Sequence, residues 1–168
     1  MLEMKTLEID YPNGHMNIRL DVFLKDYGVN RFKKLLKIIK TTYKSDEYIS
    51  TIKEYIENNM PVSSDELREK LVRNEFLVKV AQDEIDRLTK ELNRLKEITK
   101  RMMKLGKRAK AELTILREQK SEVNDKLKNA KEQLRHYKAV CSGLKSDIKT
   151  IEKLKKDFKK YLEILNEV

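Results

Sequence analysis

At 168 residues and a net charge of +10, the chain is long enough for one domain or for a small head with an extended segment. Charged residues make up 39% and aromatics 7%, with 4 Gly, 2 Pro and no Trp, which argues against a turn-rich globule and for long helices. A single cysteine, Cys141, excludes an intrachain disulfide framework. Absence of a ~20-residue apolar run excludes a helical membrane span. With no signal-type apolar core in Met1–Asp10, the expectation is a cytoplasmic protein without a membrane partner.

Residues 1–60 read as a small α+β head. In Leu7-Glu8-Ile9-Asp10-Tyr11 apolar and acidic residues alternate, as a strand with one buried face requires. Pro12-Asn13-Gly14 supplies a turn, with Gly14 expected to take a positive φ. Met16, Ile18 and Leu20 then alternate with Asn17 and Arg19, completing a β-hairpin. Past Asp26–Val29, Asn30 is placed to cap a helix with Phe32, Leu35, Leu36, Ile39 and Tyr43 on one side. Ser45 is placed to cap a second, carrying Ile49, Ile52, Tyr55 and Ile56. Such a core is marginal alone and needs further cover.

A break at Asn58-Asn59-Met60-Pro61 precedes Ser63-Ser64-Asp65-Glu66, a capping-box pattern. From Leu67 to Leu165 apolar residues recur every seven, with Asn74 alone out of place among 15 d positions, and ten of 14 a positions are apolar. A heptad held in phase this long demands a supercoiled seam, so residues 63–168 are expected to be coiled coil. Two geometries satisfy it: a continuous helix that oligomerises as a homodimer, or an antiparallel hairpin reversing near Lys104-Leu105-Gly106-Lys107. Unbroken phase across Gly106 favours the continuous helix. Against pairing of two copies in register, Lys126–Lys131 and Asp147–Glu152 repel, and apolar g residues Val140, Leu154, Tyr161 and Val168 widen the stripe. The fold class is therefore mainly α, a long coiled coil with a small N-terminal head.

Chemistry is sparse. His15 and His136 have no Cys or His at metal-ligand spacing. His136 falls on the outer f position, and Cys141 occupies an a position as a small hydrophobe. No phosphate-binding loop, dinucleotide fingerprint or nucleophile elbow occurs, so neither enzyme activity, cofactor, metal nor small-molecule substrate is expected. Charge says more. Arg94, Lys96, Lys100, Arg101, Lys104, Lys107, Arg108 and Lys110 face only Glu97, a net +7 over 17 residues. That cluster is a candidate surface for nucleic acid or a nucleoprotein. A second cluster, from Lys145 to Lys160, is diluted by Asp147, Glu152 and Asp157 and reads as a solvated face.

In the head, Asn17 and Arg19 point away from the strand's apolar side and are candidate contact residues. The strand followed by two helices over Met16–Asn59 loosely resembles ribbon-helix-helix DNA-binding proteins. It departs from them in the Asp21–Val29 insertion and the preceding strand, so no family residue is carried over. The Lys, Ile and Asn bias is that of AT-rich genomes, including bacterial mobile elements. The functional expectation is a non-enzymatic binding protein acting on nucleic acid or its protein complexes. An inhibitor of a host defence nuclease, in the manner of anti-CRISPR proteins, and a structural tether are the alternatives.

Overall fold

The computed structural model describes residues 2–168. Its elements run β1 (Thr6–Tyr11), β2 (Gly14–Arg19), α1 (Leu20–Asp26), α2 (Gly28–Lys40), α3 (Ser45–Asn58), α4 (Asp65–Met103), a 3-10 turn (Gly106–Ala109) and α5 (Lys110–Asn166). These form two compact units, residues 1–64 with 148–168, and residues 65–147.

In the first unit β1 and β2 pair antiparallel, with Leu7 opposite Ile18, Ile9 opposite Met16 and Tyr11 opposite Gly14. Alternation works as the sequence implies: Leu7, Ile9 and Ile18 are buried, while Glu8, Asp10, Asn17 and Arg19 are exposed. Gly14 does not take the expected positive φ. Its missing side chain matters for space instead, since a Cβ there would lie 3.0 Å from the Tyr11 hydroxyl. Leu20, read as the last strand residue, begins α1, and the presumed insertion Asp21–Val29 is largely this helix. Only Tyr27 separates α1 from α2, a change of direction that Gly28 accommodates at φ 79°.

Asn30 lies inside α2 and caps nothing; neither α2 nor α3 has a side-chain N-cap hydrogen bond, and Ser45 is the first residue of α3. The end of α2 is marked chemically. Thr41 and Thr42 hydroxyls donate to the Ile38 and Ile39 carbonyls, each at 2.6 Å, competing with continuation of the helix. Tyr43, expected on the apolar side, therefore falls beyond the helix and is fully exposed.

The core of this unit joins β1 and β2 to Phe32, Leu36 and Ile39 of α2, Tyr48, Ile52 and Ile56 of α3, and Phe158, Tyr161 and Leu165 of α5. Sequence reading stops the head at residue 60; the compact unit also takes in the C-terminal 21 residues from Ile148. The physical reason is the widened stripe, because Tyr161 occupies a g position and is completely buried. Its ring lies 4.6 Å from that of Phe32, and its hydroxyl donates to the Leu24 carbonyl at 2.8 Å. Burial, with Asp157 adding repulsion, pushes the Tyr161 phenol up to about 12. Tyr55 is likewise raised to about 12, chiefly by burial, and donates to the Glu3 carbonyl at 2.6 Å.

The second unit is an antiparallel helical hairpin. Ile85, Leu88 and Leu92 of α4 pack with Leu127 and Ala130 of α5, and Val123 and Leu134 close the layer. Lys145 reaches Glu75 across the arms at 3.9 Å. The continuous helix favoured by heptad phase is thus overturned at Gly106, whose φ of 64° is left-handed and ends the right-handed run. Phase survives because the reversal spans one heptad, from Met102 to the buried Ala109. The seam is covered within one chain, so its burial creates no requirement for a second copy. Thr99, polar at an a position, is buried with its hydroxyl donated to the Leu95 carbonyl at 2.7 Å. No helix among the described residues is long and apolar enough to cross a membrane.

Candidate functional site

The sequence-predicted cations converge at the hairpin's turn. Arg94, Lys96, Lys100 and Arg101 lie on the last turns of α4, Lys104 in the connection, Lys107 and Arg108 in the 3-10 turn, and Lys110 at the start of α5. All eight are exposed. Reversal of the chain turns a linear cluster into a cap, with charges brought together from both arms.

Arg94 differs from the others. Its guanidinium forks onto Glu91 one turn earlier, with Nη2–Oε1 2.6 Å and Nε–Oε2 3.2 Å. That hydrogen bonding holds the Glu91 carboxyl below the usual carboxylate range. Arg94 is thus partly neutralised within its own helix. Among the described residues, no carboxylate lies within ion-pair distance of Lys96, Lys100, Arg101, Lys104, Lys107, Arg108 or Lys110. Between them Met103 and Leu105 are 62% and 57% exposed. Lys100 and Arg101 lie in the last turn of the helix that ends at Met103, where its C-terminal carbonyls favour positive charge.

Asn17 and Arg19 sit elsewhere, in the first unit, on a groove of about 760 Å³. One wall is β2 from Met16 to Arg19, and the other is built by Phe23 of α1, Tyr27, and Arg31, Lys34 and Ile38 of α2. Arg19 is engaged by Asp21, with Nη2–Oδ2 2.7 Å, and this bond holds the Asp21 carboxyl below its ordinary range. Tyr27 stacks on Phe23 with centroids 5.2 Å apart, and Arg31 lies over the Tyr27 ring at 5.1 Å. Sequence reasoning named Asn17 and Arg19 but missed this second wall. The available signal was Arg31, Lys34 and Ile38 at helical spacing on α2, flanking the buried Phe32–Leu35–Ile39 stripe.

Other candidates are quiet. His15 bonds Asp10 at 2.6 Å, which raises the imidazole above its ordinary pKa. His136 is exposed beside the Tyr137 ring, and Cys141 is buried as a free thiol. Among the described residues no group of three His, Cys, Asp or Glu could hold a metal ion. Val72, Phe76 and Val80, four residues apart on α4, expose an apolar stripe outside the seam that heptad counting passes over.

No family model and no curated protein matches this chain. Among solved structures, the soluble AhlC triple head mutant of the tripartite α-pore-forming toxin AHL from Aeromonas hydrophila is similar in fold. The TM-score is 0.53 at 13% identity, over 88% of this chain and 61% of that one. This chain thus spans less than two thirds of AhlC's length, and at that identity the likeness is one of fold alone.

Proposed function

We propose that this is a binding protein whose cationic hairpin turn docks on the phosphate backbone of a nucleic acid, alone or within a nucleoprotein. The observation that supports this reading is the cap of seven exposed cations without carboxylate partners, drawn from both arms. Phosphate neutralisation by lysines releases condensed counterions and needs no base-edge geometry. Lysine, a compact point charge, suits that task. The reading requires no catalytic step.

The test is fluorescence anisotropy with labelled duplex and single-stranded DNA and RNA across a salt series. A log–log slope of roughly −3 to −5 is expected if four to six phosphates are engaged. Reversing Lys100, Arg101, Lys104 and Arg108 to Glu is expected to weaken binding about 100-fold. Reversing Lys153 and Lys156 should change it far less. Equal losses from both sets would refute the turn as the contact.

A second reading is favoured by Met103 and Leu105, exposed among the cations. Apolar side chains within a basic cap suit an anionic bilayer surface, and the fold likeness is to a component of a pore-forming toxin. Co-sedimentation with phosphatidylserine vesicles that is lost in Met103→Glu/Leu105→Glu, while nucleic-acid binding persists, would select it.

A further inference from the structure

The groove on the first unit has one wall made of bare strand backbone. The two-residue Pro12-Asn13 loop makes Tyr11–Gly14 a hydrogen-bonded pair, so Gly14, Met16 and Ile18 bond toward β1. Leu20 continues the series, its N–H donating to the Lys5 carbonyl at 2.8 Å. The alternate residues, His15 and Asn17, therefore direct their backbone N–H and C=O groups outward. On the opposite edge of the sheet the outward N–H of Asp10 is taken by the Tyr48 hydroxyl at 3.1 Å. Among the described residues nothing takes the outward N–H of Asn17. This unpaired edge opens into the groove.

The geometry points to strand addition: an extended acidic peptide of a partner protein pairs with the free edge of β2. Apolar side chains on one face of that peptide would enter the groove beside Phe23 and the 39%-exposed Ile38. Its carboxylates would meet Arg31 and Lys34 on α2. Charge selects the occupant: Arg19, Arg31 and Lys34 line the groove with no carboxylate among its lining residues, and with Arg19 held by Asp21 outside it, Arg31 and Lys34 are left to meet an acidic chain. Main-chain bonds then supply affinity and the flanking pockets select side chains.

The full chain is titrated with a labelled peptide of about ten residues alternating Val and Glu. Saturable binding is expected, weakened about tenfold or more by Arg31→Glu/Lys34→Glu. N-methylation of alternate peptide residues is expected to cause a similar loss. Asn17→Pro deletes the outward N–H and spares the β1–β2 bonds, because proline is tolerated at such an edge position; it too should weaken binding. Unchanged affinity for the N-methylated peptide or for Asn17→Pro would overturn strand addition. No binding at millimolar peptide, or equal binding of an oligothymidylate, would overturn the acidic-peptide assignment. Self-association abolished by Asn17→Pro, without peptide binding, would make a second copy the occupant and also overturn it. Reversal of Lys100, Arg101, Lys104 and Arg108 should leave peptide affinity unchanged, which separates this inference from the phosphate-docking reading.

Discussion

Removing the Tyr161 hydroxyl while keeping its ring would leave the Leu24 carbonyl buried without its donor. Tyr161→Phe is expected to cost about 1–3 kcal/mol by denaturant unfolding. Phe158→Ala, which empties a fully buried site, is expected to cost about 3–5 kcal/mol. The raised phenols of Tyr55 and Tyr161 carry a pH prediction. A phenol that ionises at 10.0 when unfolded and near 12 when folded stabilises the fold fully below pH 10. That contribution is lost as pH rises from 10 toward 12, because only the unfolded chain readily releases the proton. Absorbance titration at alkaline pH should show the Tyr55 and Tyr161 phenols ionising only well above 10.0, together with loss of helicity. At His15 the Asp10 contact favours the imidazolium, so its effect is present at acid pH and lost as pH rises through the raised pKa. An NMR titration should place His15 above an unperturbed histidine, and Asp10→Asn should bring it down.

Among the elements, the reversal between α4 and α5 depends on one backbone angle. Gly106 sits at φ 64° in open space, so a side chain would meet no neighbour but would suffer the left-handed penalty. Gly106→Val is expected to destabilise the hairpin by about 1–2 kcal/mol in thermal unfolding. Pairing of the arms is tested by spin labels at positions 75 and 145. Adjacent helix axes place them within roughly 10–20 Å, whereas a continuous helix would separate them by about 105 Å. Two carboxylates find their partners within the chain: Glu75 meets Lys145 of the other arm, and Glu91 meets Arg94 of its own helix. Such exposed pairs contribute little, and the apolar layer Ile85–Leu88–Leu92 against Leu127–Ala130 holds the arms.

For the whole molecule, the first unit depends on chain segments far apart in sequence. Its N-terminal strands and helices share one core with Phe158, Tyr161 and Leu165. Truncation before Phe158 removes three buried side chains, a loss comparable with the entire stability of a small domain. Hydrogen exchange should then show α2 and α3 unprotected, while amides of residues 80–95 retain protection. If α2 and α3 stay protected, the N-terminal segment folds without its C-terminal complement.

Heptad spacing from Leu67 to Leu165 and strict alternation in Leu7–Tyr11 and Met16–Ile18 made the long helices and the β-hairpin legible, because each periodicity is local and repeats. The cluster from Arg94 to Lys110 was legible as charge for the same reason. Direction of the coil was not, since a turn one heptad long leaves the phase of a straight helix and of a hairpin identical. Tyr161 looked like a widening of the stripe; only tertiary contact with Phe32 and Leu24 makes it head core. The groove beside β2 was hidden as well. Its walls come from separate elements, and which edge of a strand remains unpaired is decided by what packs against the sheet.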